Sequence, residues 1–144
     1  MTAQSTFSDD EFAREIIRVH GLDSSAAESR WWELYHAARN EGRDAQARGC
    51  LLQLGLLLSS MGRERDSLRV MIRMARESKQ LSASVFTNLG CSLERNKWYG
   101  FAHLFFLHAL KCPAAESSLV KWHELARIGL ERTKMRRMTR ETGR

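Results

Sequence analysis

The sequence of this chain predicts an all-α fold, and three features point there. The 144 residues include a single proline, Pro113, so little in the chain interrupts a helix. Ala, Leu, Arg and Glu, all good helix formers, are abundant. No stretch alternates apolar and polar residues with β-branched enrichment, so no strand is expected. By length, residues 1–144 make one domain, large enough to bury a core without disulfide or metal staples.

The elements follow in order. Ser8 with Glu11 has the capping-box pattern, and Phe7 with Phe12 has the spacing of a hydrophobic staple. Phe12, Ile16 and Val19 recur at helical spacing until Gly21 stops the first helix. Ser25 with Glu28 repeats the capping-box pattern and opens a second helix through Trp31, Leu34 and Ala38 to about Gly42. A third helix covers about 44–61 and a fourth about 64–79. Ser82 reads as an N-cap, with Leu81 and Phe86 at staple spacing, and its helix continues to about Arg95. Asn96 breaks it, and a sixth helix runs over about 97–111. After Pro113 a long C-terminal helix is expected over 115–138, with 139–144 a frayed basic tail. The short connections predict antiparallel helical hairpins.

Charge and apolar content narrow the function classes. The net charge is +6, and residues 127–144 alone carry +5, from seven Arg or Lys against two Glu. The basic tail residues Arg132, Lys134, Arg136, Arg137 and Arg140 could neutralise phosphates. No aromatic residue accompanies them as a stacking platform. A solvated helix end suited to its dipole, or docking to an acidic protein patch, is therefore favoured over nucleic acid.

The cysteines, Cys50, Cys91 and Cys112, are odd in number and form no CxxC pair, so reduced thiols of a cytoplasmic protein are expected. The opening residues lack the basic and apolar regions of a signal peptide. The apolar run from Cys50 is about nine residues long, against the roughly 20 that cross a bilayer, so no membrane span is expected. His103 and His108 stand five apart, and His123 opens "HELAR", which lacks the second histidine of HExxH. With no GxSxG motif or phosphate loop either, the expectation is a non-enzyme without metal or cofactor.

The hairpins hide a repeat. "LLQLGLLLSSMGRERDSLRVMIRMARES" from Leu51 aligns with "FTNLGCSLERNKWYGFAHLFFLHALKCP" from Phe86 at a period of 35 residues. Leu54-Gly55 matches Leu89-Gly90, Leu58 matches Leu93, Ser67 matches Ala102, and Met71 matches Phe106. With Phe86, Leu89, Gly90, Leu93, Ala102, Phe106, Ala109 and Pro113, the second unit resembles the tetratricopeptide repeat (TPR), W-x2-L-G-x2-Y, then A-x3-F, then P. Trp122, Leu125 and Ala126 start a third half-unit. Residues 49–79 and 84–113 are thus read as repeats, and 8–42 as a divergent N-terminal hairpin or cap.

The resemblance implies a TPR-like right-handed solenoid, with the first helix of each hairpin lining a concave groove. Carried over, the groove positions are Leu52, Leu56 and Ser59, then Ser84, Thr87, Asn88, Cys91 and Glu94, then His123 and Arg127. Leu51, Leu54 and Leu58 satisfy the hairpin core, which leaves Leu52 and Leu56 surplus. Either the N-terminal helix folds back over them or an apolar or amphipathic segment of another protein docks there. In length, repeat count and apolar groove the chain is similar to the small TPR-type chaperones of bacterial type III secretion. That likeness implies a cytosolic chaperone forming a hetero- or homodimer. A structural adaptor and a nucleic-acid-associated regulator using the basic tail are the competing readings.

Overall fold

A computed structural model of the chain describes residues 8–113 and 120–142, apart from the side chains of Asp9 and of 137–142. These residues form seven α-helices and no strand: α1 (Asp9–His20), α2 (Ser24–Asn40), α3 (Asp44–Ser60), α4 (Glu64–Glu77), α5 (Ala83–Arg95), α6 (Tyr99–Lys111) and α7 (Trp122–Thr142). From α2 onward each helix packs on the next in the chain, and α5 also packs on α7.

The helix starts show how local chemistry sets the boundaries. The Glu11 amide donates to Ser8 Oγ at 3.2 Å and the Ser8 amide donates to the Glu11 carboxylate at 3.3 Å, a complete capping box. Phe7 of the expected staple lies outside the described residues. For α2 the expected Ser25 cap is corrected to Asp23, whose carboxylate accepts from the Ala26 amide at 2.9 Å. An aspartate two residues upstream offers both a cap acceptor and a charge suited to the helix N-terminus. Glu28 instead meets Arg63 at 2.7 Å, tying α2 to the start of α4. At α5 the predicted cap is present, with the Val85 amide donating to Ser82 Oγ at 3.3 Å.

Three turns share one construction. Arg43, Arg63 and Trp98 donate their amides to the carbonyls of Ala38, Leu58 and Leu93 at 2.8–2.9 Å. One residue earlier in each turn the backbone is left-handed, at Gly42 (φ 72°), Gly62 (φ 77°) and Lys97 (φ 65°). This is the usual glycine-favouring helix stop, and Gly62 and Lys97 stand one 35-residue period apart. Only the third turn asks a residue with a Cβ to adopt that conformation. Lys97→Gly is expected to raise stability by about 0.5–1 kcal/mol, read as a higher denaturant midpoint at unchanged slope.

The core has two parts. Leu51, Leu54 and Leu58 are fully buried with Trp31, Leu34 and Tyr35 among α1–α4, while Leu93, Ala102, Phe106, Ala109 and Ala126 form a second cluster with Leu68. The repeat recurs in the packing. A Cβ on Gly55 would meet the Met71 methyl at 2.6 Å, and one on Gly90 would meet the Phe106 ring at 2.6 Å. Glycine at both places lets the second helix of the hairpin come close. Ser67 Oγ, buried at the same crossing, donates to the Gly55 carbonyl at 2.6 Å.

The last helix departs from expectation. Val120 and Lys121 are not helical, residues 114–119 lie outside the described residues, and α7 begins at Trp122 rather than at 115. It continues through Thr142, past the expected fraying point. From Leu130 to Thr142 it meets neither glycine nor proline, and its Arg, Lys, Glu and Met residues favour helix.

Candidate functional site

The residues expected to line one groove divide among several environments. Leu52 is half-buried against the first core cluster, while Leu56 is 40 % exposed. Ser59 Oγ donates to the Glu64 carboxylate, 2.9 and 3.0 Å from its two oxygens, stapling the α3–α4 turn. Ser84, His123 and Arg127 come together with Ser82, Lys121 and Trp122 around a cavity of about 440 Å³ at the starts of α5 and α7. His123 Nε2 lies 2.8 Å from the Cys112 carbonyl oxygen, and the Asn88 amide nitrogen donates to the Ser84 carbonyl at 2.9 Å. Thr87 is buried in the protein, with no hydrogen-bond partner for its hydroxyl, rather than presented on a groove surface.

Cys91 and Glu94 meet the basic tail. Together with Arg95, Lys97, Arg132 and Arg136 they line a second, polar cavity of about 430 Å³. Arg132 grips Glu94 through Nε and an Nη, both at 2.8 Å, a bidentate pair between α5 and α7. Arg136 lies 5.8 Å from the centre of the Tyr99 ring. Arg132 and Arg136 are therefore engaged within the fold, Lys134 is exposed, and the side chains of Arg137 and Arg140 lie outside the described residues. Leu52 and Leu56 line neither cavity.

The thiols are set by burial. Burial pushes the Cys50 thiol from the ordinary 9.0 up to about 12. Burial also raises Cys91, against the opposing charges of Arg95 and Arg132. A folded pKa above the unfolded one means that the native state holds its proton through the interval in which the unfolded thiol loses it. Stability is then fully present below about pH 9 and falls as pH rises toward 12. Denaturant midpoints are expected to fall through that interval, less steeply in Cys50→Ala. Under native conditions near neutrality Cys50 should be the last of the three to react with a thiol reagent.

A more apolar opening lies elsewhere. Leu68, Ile72 and Ala75 of α4 face Trp98, Phe101 and Phe105 across a floor made by Leu89 and Leu93 of α5. Together with Leu81 and Arg76 these side chains enclose a groove of about 410 Å³. Phe101 is 59 % exposed, Trp98 56 %, Leu81 44 % and Ile72 37 %, and the rings of Trp98 and Phe101 stand 6.1 Å apart. Leu104 extends the apolar surface along the outside of α6.

The signal for this groove was in the sequence. α6, "YGFAHLFFLHALK", carries apolar residues on every face. Once Ala102, Phe106 and Ala109 are assigned to the hairpin core, Phe101 and Leu104 are surplus, as Leu56 is in α3. Among the described residues no three His, Cys, Asp or Glu gather where they could hold a metal, and no helix is long and apolar enough to cross a membrane. The chain matches no protein-family model and no curated protein.

Proposed function

We propose that this protein is a non-catalytic protein-binding module that holds an amphipathic helical segment of a partner. On this reading the hairpins stack as a TPR-like right-handed solenoid, and the protein acts as a small chaperone of the kind used in bacterial type III secretion. The apolar groove walled by α4 and α6 carries the reading: an aromatic and aliphatic trough lined along about two turns of α4, open to solvent at Phe101 and Trp98. Apolar helix faces dock in such grooves, and a monomer that leaves one open has an occupant to explain.

α4 and α6 are the second helices of successive hairpins, so this docking surface lies on the opposite side from the concave face. The first-helix positions supply support instead: Ser59 and Glu94 are bonded within the fold and Thr87 is buried. A photo-crosslinking residue placed at Phe101, and separately at Leu56, tests the proposal in cells of the native host. The expected result is one dominant adduct from position 101 and none from 56. An adduct from 56 alone, or none from either position, contradicts it.

A further inference from the structure

Resting on that docking reading, we infer that the helix occupying the α4–α6 groove comes from a partner protein and flanks its apolar face with acidic residues. The walls of the groove are apolar and the rim is cationic. Arg65, Leu68, Ile72 and Arg76 fall within an arc of about 80° on α4, at 100° per residue. Leu68, Ile72 and Arg76 line the groove, and Lys79 is exposed just past the end of the helix. Arg65, Arg76 and Lys79 are exposed and have no ion-pair partner among the described residues.

The acids of the neighbouring helices are held elsewhere. Asp66 faces Arg63 and Arg69 at 3.0 and 3.7 Å. Glu77 takes the Tyr35 hydroxyl, Arg39 and Arg73 on the side of α4 turned toward α2. Glu64 accepts from Ser59, and Glu94 is gripped by Arg132. α6 contains no acidic residue at all, and α5 gives the groove only Leu89 and Leu93. A docked segment would therefore find apolar contacts along its middle and unanswered positive charge along its edge.

That charge pattern selects the occupant. Two copies of this chain meeting groove to groove would set one cationic rim against another, which like-charge repulsion opposes. An acidic-flanked helix is complementary on both counts. From Leu68 to Arg76 the wall is roughly 12 Å long at 1.5 Å per residue, and Arg65 stands about one turn beyond it, so wall and flanking charge together match about three turns of partner helix.

The test uses the full chain and three helical peptides of about 16 residues that share one leucine-rich face and carry Glu, Gln or Lys on its flanks. Fluorescence anisotropy at low and high salt gives their affinities. The Glu peptide should bind about tenfold more tightly than the Gln peptide, the order expected of two or three exposed ion pairs, and the Lys peptide most weakly. Salt should compress the difference, and the double variant Arg65→Glu, Arg76→Glu should reverse the order. Three equal affinities that all fall in Phe101→Asp would overturn the charge inference and leave the docking reading standing. An order unchanged by the charge reversal overturns the assignment to this rim. If no peptide binds, the docking reading fails, and the inference fails with it.

Discussion

Replacing Phe106 by alanine is expected to cost about 3–5 kcal/mol of stability, the range for truncating a fully buried aromatic side chain. For a chain of this size that corresponds to a fall in Tm of roughly 6–20 °C. The effect is large because one ring serves three helices. Phe106 is 0 % exposed, and its ring fills the spaces left by two glycines, Gly90 on α5 and Gly129 on α7. A Cβ on either would come within 2.6 Å of the ring, and the ring, held from both sides, has nowhere to move. Gly90→Ala alone should therefore destabilise by about 1–2 kcal/mol, overpacking outweighing the gain in helix propensity. In the Phe106→Ala background the same change should become neutral or stabilising, so the two changes are strongly non-additive. Gly55→Ala is the contrast, because the atom it meets first is the end of the flexible Met71 side chain. It should be nearly neutral. Denaturant unfolding of the four-member Gly90/Phe106 cycle measures the coupling, and additive costs would contradict this account of the α5–α6–α7 junction.

Phe101→Asp is expected to abolish partner binding, with a loss of 100-fold or more, while leaving stability within about 0.5 kcal/mol of the parent. Phe101 is 59 % exposed, so its removal opens no cavity. It is also the third residue of α6, whose first turn contains no acid. A carboxylate there suits the positive end of the helix dipole and offsets the small loss of packing. Binding should respond in the opposite sense, since a buried, unpaired carboxylate in an apolar groove is costly. Paired measurement of Tm and of affinity for the Glu-flanked peptide separates the two effects. A variant that binds normally, or one that unfolds, contradicts the role given to Phe101.

How much of this was legible beforehand depended on whether the deciding interaction was local. Seven helices, the capping box at Ser8 and Glu11, the Ser82 cap and the turn at Gly62 all rest on contacts within a few residues. The 35-residue echo was legible too, because the close approaches at Gly55 and Gly90 demand small residues at fixed spacing. The α2 cap was misread because two acceptors, Asp23 and Ser25, compete within one turn, and the pairing of Glu28 with Arg63 is set by tertiary structure.

The candidate site was the least legible part. Surplus apolar residues mark a helix as having a second buried face, but they do not say what buries it. Leu52 finds its partners in the chain's own core, whereas Phe101 and Trp98 do not. Likewise the basic tail reads as a uniform charge, yet Arg132 belongs to Glu94 and Arg136 to the Tyr99 ring. Pairings between residues this far apart follow from the packing of α5, α6 and α7.

The most direct measurement of the central claim is amide hydrogen exchange on the complex with the partner captured at position 101, compared with the free protein. Docking in the groove predicts slowed exchange in residues 65–76 of α4, at Trp98 and in residues 99–105 of α6, with α3 unchanged. Protection confined to α3 and the N-terminal half of α7, with α4 and α6 exchanging as in the free protein, would place the partner away from the α4–α6 groove and contradict the account.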